Sequence, residues 1–381
     1  MNLLLLPQTL FFGIAGIIGV GFLIGFHELG HFLFCKLFHI RTPSFSIGIG
    51  PKLIEKKIGD TNFALSAIPL GGYVEIAGAA EVGQGDQLEA KRVDEYSFAS
   101  KPYWQKLLVM LGGILFNLMF AYAALSFLFY TGMPKSELLY PLNASSKIVT
   151  IEPGSAAHLM RLEPGDVIQS IDSLAITNPK SDQPESTVLD MIRYINSKPG
   201  EQVTLTIERQ GIPLTITGTL GTKTVGNKKI GSLGITAFEV KQTPATSFFD
   251  AIKKGFSLTN TIILSTAYAF KNIFSRGDVS GMGGPISIIT QTAHGASLGF
   301  KIFLVLLSII SINLAVLNLI PLPILDGGQI VFYTIEAIIR RPINEKAREY
   351  IHIACWFLIM GLIVYLSYKD IVRLITGFIS K

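Results

Sequence analysis

Four long apolar runs dominate the chain, at about 11–34, 107–130, 302–322 and 353–375, each close to the ~20 residues that cross a bilayer. Between them the pattern changes. Positions 44–53 and 62–76 alternate apolar and polar residues around a polar 56–60 turn, which predicts two short strands. A polar, acidic loop follows at 78–94. From 134 to 242, short β-patterned runs (147–151, 166–171, 203–208, 214–219, 231–236) flank one helical run at 187–196. The moderately apolar stretch 247–274 reads as an amphipathic helix lying in the membrane interface, with a fifth span as the alternative. The predicted fold is therefore a polytopic α-helical membrane protein of about four spans. A cytoplasmic-side β-hairpin region follows the first span, and an α+β domain is inserted after the second. The expected divisions are 1–35, 36–106, 107–130, 134–242, 243–299, 300–326, 327–352 and 353–376.

Composition agrees with the pattern. Hydrophobic residues make up 49% of the chain and charged residues only 15%, with mean hydropathy +0.47, too apolar for a soluble protein of 381 residues. The first run has no Lys or Arg before it and no small-residue cleavage site, so we read it as a retained helix. The loop after it carries Lys36, Arg41, Lys52, Lys56, Lys57, Lys91, Arg92, Lys101 and Lys106, and the connection before the last run carries Arg340, Arg341, Lys346 and Arg348. Basic residues favour the cytoplasmic side, which places the N-terminus and the 134–242 domain outside. Lys369, Arg373 and Lys381 argue the other way. The net charge of +5 is mostly juxtamembrane and gives no support to a nucleic-acid role. Two cysteines make no disulfide framework, and Cys35 is assigned no chemistry.

The chemistry is carried by His27-Glu28-Leu29-Gly30-His31, at the end of the first apolar run. On a helix two histidines four residues apart share a face, where their imidazoles hold one zinc ion and Glu28 stands beside as general base. Three ionisable groups in an apolar segment, each costing about 2.5–3.5 kcal/mol at the centre of a bilayer, are hard to explain without a metal. The bland reading is a polar helix end that snorkels to the interface. Catalytic zinc sites use three protein ligands, so one is still needed. Asp326, in Asn318-Leu319-Ile320-Pro321-Leu322-Pro323-Ile324-Leu325-Asp326-Gly327-Gly328, is the candidate: Pro321 and Pro323 break the third helix and free the aspartate to reach inward.

These motifs resemble the site-2 protease family of intramembrane zinc metalloproteases, of the RseP type, and they follow its order over nearly the whole chain. The resemblance implies zinc held by His27, His31 and Asp326, with Glu28 as general base. It also implies substrate contacts from Asn318 and from Asn117, with Ile114 standing where the second-span motif usually has Pro. Pro153-Gly154-Ser155-Ala156-Ala157 and Glu163-Pro164-Gly165-Asp166-Val167-Ile168 resemble a bacterial PDZ domain, with Arg161 in place of the usual Gly. Such a domain engages peptides, C-termini included, by strand addition. The implied function is hydrolysis of peptide bonds in or beside transmembrane segments of single-span proteins, such as anti-sigma factors or signal-peptide remnants, in regulated intramembrane proteolysis at the bacterial inner membrane. The sheet after the first span offers an edge on which an extended substrate could pair. A catalytically silent scaffold that binds peptides is the alternative, although it would need neither Glu28 nor Asp326. A transporter is disfavoured because no paired repeats of spans are visible.

Overall fold

A computed structural model describes residues 6–79, 93–141, 143–176, 188–225, 228–276 and 282–379. The chain divides into two compact units, Met1–Thr131 with Thr246–Lys381, and Gly132–Ala245.

The first unit is helical. Helix α1 (Leu6–Leu37) has 32 residues, long enough to extend about 48 Å. It leads into strands β1 (Ser44–Ile58) and β2 (Thr61–Glu75), then helix α2 (Tyr103–Thr131). The expected loop at 78–94 lies mostly outside the described residues. Among the described residues four helices are long and apolar enough to cross a membrane: Leu10–Leu37 of α1, α2, Phe300–Asn318 and Lys346–Arg373. The α1 and α2 backbones meet at Gly30 and Gly112, where a Cβ on either residue would strike the other. The hairpin folds back on itself. Ser44–Ile47 pairs with Asn62–Leu65 on one side and with Gly72–Glu75 on the other, so Gly72–Glu75 forms a sheet edge.

The Gly132–Ala245 unit starts with β3 (Ala144–Ile151), the short helix α3 (Ala156–Leu159), β4 (Val167–Ile171) and β5 (Leu174–Ala175). Helix α4 (Val188–Asn196), β6 (Gln202–Arg209), β7 (Ile212–Thr219), β8 (Gly221–Val225), β9 (Lys228–Ser232) and β10 (Ile235–Val240) follow. The main sheet runs β10-β3-β4-β6-β7, with β5 beside β4, while β8 and β9 form a separate hairpin. Ile148, Ile168, Ile171, Met191, Leu205 and Ile207 fill the core. The expected single strand at 231–236 is two strands. The chain turns at Gly234, whose φ of +84° suits glycine, and the Leu233 and Gly234 carbonyls accept from Ala157 and Glu152 instead of extending a ladder. Arg161 adopts φ +60°, the left-handed conformation that glycine takes most easily, and its carbonyl accepts from Arg209.

Helices α5 (Phe248–Arg276), α6 (Pro285–Ser297), α7 (Phe300–Asn318), α8 (Asp326–Ile339) and α9 (Glu345–Ile379) complete the first unit. One boundary differs from expectation. The stretch 327–352, expected as a connection, is mostly helix α8, and Asp326 opens that helix instead of ending the third span. Gly327 and Gly328 mask the helix start in the sequence; a Cβ on them would strike the Leu319 and Leu322 carbonyls, so they let α8 fold tightly under the broken loop. The helix expected at 247–274 is α5, which runs antiparallel beside α2. Thr246 N–H donates to Phe129 O, and Tyr122 stacks on Phe256 and donates to Asn260. Thr259 is fully buried and Thr266 bonds to Asn313, while Lys253, Lys254, Ser257 and Ser265 stay exposed.

Candidate metal centre

His27 and His31 lie one turn apart on α1, both buried, at 8% and 6% exposure. Their rings are nearly perpendicular with centroids 4.8 Å apart, and their Nε2 atoms are 3.1 Å apart. Asp326 comes from the first position of α8. Its Oδ2 is 3.2 Å from His27 Nε2, and its Oδ1 is 3.5 Å from His31 Nε2.

The outer nitrogens settle what the inner ones can do. His31 Nδ1 is 2.8 Å from the Val109 carbonyl, which can only accept, so Nδ1 carries the proton and Nε2 presents a lone pair. His27 Nδ1 lies 3.1 Å from Asn117 Nδ2; a half-turn exchanges the two ends of the amide and sets Oδ1, which otherwise has no donor, against Nδ1 as an acceptor. Two imidazole lone pairs and a carboxylate then converge with no donor of their own between them, which is unfavourable unless a cation lies among them. Ligand atoms about 2.0–2.1 Å from a tetrahedral zinc stand about 3.3 Å apart. The observed 3.1, 3.2 and 3.5 Å separations fit that edge, so these residues suit the ion. His27, His31 and Asp326 are the one potential metal-holding group of three or more such side chains among the described residues.

Space for this arrangement comes from α2. A Cβ on Gly113 would lie 2.5 Å from the Nε2 atoms of both histidines, so only glycine leaves room for the rings. Glu28 lies on the other side of the site, against the sheet edge. A Cβ on Gly72 would stand 3.2 Å from its Cγ, and the Val74 N–H donates to its carboxylate. Asn318, the last residue of α7, brings its amide 3.3 Å from His27 Nε2. A cavity of about 190 Å³ joins Glu28, Asn318, Val74 and Met110 to the three ligand candidates.

Of the residues named from sequence, His27, Glu28, His31, Asn318 and Asp326 share this cavity. Asn117 does not line it. Its side chain is fully buried against His27, so its contact is with a ligand's outer nitrogen and not with the cavity. Sequence reasoning missed Gly113, the Val109 carbonyl, Gln329 and His352. Gln329 donates to the Pro323 carbonyl and accepts from Arg348 at 2.5 Å, which ties the broken loop before Asp326 to α9. His352, 3.3 Å from Gln329, lines the cavity from α9. The only signal for this tie was one turn-spaced Gln after the Asp-Gly-Gly run.

The model of peptidase family M50 matches residues 15–362. Relatives named "Putative zinc metalloprotease" include proteins of Brucella suis biovar 1 (31% identical, 91% of each chain) and Agrobacterium fabrum (31%, covering 94% of this chain and 95% of the relative). A Campylobacter jejuni protein of the same description is 30% identical over 98% of this chain and 99% of its own. With a zinc-suited ligand set among apolar helices and a family match over nearly its whole length, the chain belongs to peptidase family M50, the site-2 protease family, and is a zinc metalloprotease of the membrane.

Proposed function

We propose that the chain hydrolyses peptide bonds within or next to the transmembrane segments of single-span proteins, as a step in regulated intramembrane proteolysis. One observation carries this reading: His27, His31 and Asp326 converge from apolar helices onto a point where Glu28 and a sheet edge also meet. Zinc bound there supplies Lewis acidity that acidifies a water and polarises a carbonyl. Glu28 takes the proton from the attacking water and delivers it to the leaving nitrogen; the C–O bond forms and the C–N bond breaks. Asn318 donates its amide hydrogens toward the carbonyl oxygen as charge gathers there. Gly72–Glu75 accepts the substrate as an added strand, which holds the scissile region extended beside Glu28.

The Gly132–Ala245 unit takes the PDZ-like role of engaging peptides. Its support is β10, an edge strand, beside a cavity of about 230 Å³ lined by Ile192, Ile195, Thr236 and Phe238. In this reading that unit is extracytoplasmic and the metal centre lies toward the cytoplasm of a bacterial inner membrane, on the evidence of the basic connections. A silent scaffold leaves the converging ligands and Glu28 without a reason.

Two experiments test the proposal. Membrane-fragment proteomics of wild-type and Glu28→Gln cells should show single-span proteins trimmed only in the former; identical fragment sets would contradict it. Impermeant thiol labelling of intact cells should reach Arg193→Cys and not Lys57→Cys, and the reverse pattern would overturn the topology.

A further inference from the structure

A third cavity, of about 330 Å³, opens between the start of α2 and the end of α8. Three cations line it, Lys106, Arg340 and Arg341, against a single carboxylate, Glu336. The carboxylate is already engaged, accepting from the Ile343 N–H in the turn after α8. Lys106 is held in place. It donates to Ala99 O at 2.9 Å, and its ammonium sits 5.8 Å from the rings of Phe98 and Tyr333. Arg340 and Arg341 have no hydrogen-bond or ion-pair partner among the described residues. Arg340 adopts φ +54°, an unusual conformation for a side-chain-bearing residue, as it caps α8. The cavity wall is fixed by a 2.9 Å bond between Tyr103 and Thr334.

The surroundings identify the occupant. Tyr103 and Trp104 open a membrane-crossing helix, the position at which aromatic side chains mark the headgroup level. Directly before the two arginines in the chain, Ile338 and Ile339 are exposed, Ile338 at 74%, which offers an apolar surface for acyl chains. A surplus of cations in a pocket between helices at headgroup depth matches one class of ligand. We propose that this pocket binds the phosphodiester headgroup of an anionic glycerophospholipid. Arg340 and Arg341 pair with the phosphate oxygens, Lys106 adds its remaining donors, and the chains lie along Ile338 and Ile339. Because α8 starts at Asp326, the headgroup fixes the far end of the helix that carries the carboxylate of the metal centre. The inference rests on the membrane placement of these helices and not on the catalytic assignment.

The test uses full-length protein in phosphatidylcholine vesicles doped with spin-labelled phosphatidylglycerol, reading the motionally restricted lipid fraction. Arg340→Gln with Arg341→Gln should weaken retention about tenfold or more. Ala337→Trp, which fills the cavity and keeps every charge, should weaken it similarly. Lys56→Gln with Lys57→Gln, an equal charge loss on the exposed hairpin, should leave it unchanged. Zinc content of each variant reports that the helical unit has folded. The proposal is overturned if folded Ala337→Trp protein retains the lipid, or if the hairpin pair lowers retention as much as the arginine pair, which would mean general surface attraction. It is also overturned if soluble glycerol phosphate displaces the label as well as unlabelled phosphatidylglycerol does, which would mark a free-phosphate site.

Discussion

Two acidic side chains, Asp166 and Asp326, are handled in opposite ways. In the Gly132–Ala245 unit, Asp166 is 1% exposed and fully satisfied: Arg209 grips both its oxygens at 2.7 and 2.8 Å, and the Glu163 N–H donates to it as well. That carboxylate holds a turn together. At the metal centre, Asp326 faces the Nε2 atoms of two imidazoles whose outer nitrogens are engaged by Val109 and Asn117, and its Oδ2 has no hydrogen-bond donor. A buried carboxylate whose own chain supplies its donors reads as structure, and a partly buried one facing two imidazole nitrogens reads as a ligand.

The comparison breaks most visibly at the ligands. His31→Ala removes an imidazole that nothing nearby replaces, so zinc and activity should vanish together, and Asp326→Asn should weaken zinc binding and collapse activity. Metal analysis beside a cleavage assay checks this. Gly113→Ala should follow. Its new methyl pushes on both histidine rings, and a displacement of about 1 Å should lower activity on the order of a hundredfold.

Asn117 sharpens the same contrast from the outer shell. Asn117→Leu removes the acceptor for His27 Nδ1–H and should weaken zinc affinity by about 10–100-fold in chelator competition, while Asn117→Asp keeps the acceptor and should retain most of it. Equal losses in both variants would mean that Asn117 only fills space. In the other unit, Arg209→Ala strands a buried carboxylate. Because Arg209 is itself 26% exposed, the expected cost is about 2 kcal/mol, read as faster hydrogen exchange in Val203–Ile207 with zinc content unchanged.

The sequence was most legible where chemistry and pattern coincide. Polar residues in apolar runs stand out, so His27, Glu28, His31 and the Pro321–Asp326 break could be named without coordinates, as could the four spans. Legibility failed where the cause is a contact across the fold. Gly113 looks like any glycine in an apolar helix until the imidazoles are placed against it, and Asn117 reads as a substrate contact until its burial against His27 is known. Helix α8 was hidden by two glycines that exist for close packing. The partner of α5 was hidden because periodicity shows how a helix distributes its apolar residues but not which neighbouring helix meets them.

The central claim is that ligand and base are separate residues at one site. It is tested most directly by pairing zinc stoichiometry with cleavage of a solubilised transmembrane substrate in Glu28→Gln protein. His27, His31 and Asp326 are untouched by that change, so one zinc per folded chain with little or no cleavage is the predicted result. Normal cleavage would show that Glu28 is not the base, and loss of zinc along with activity would show that it belongs to the ligand set.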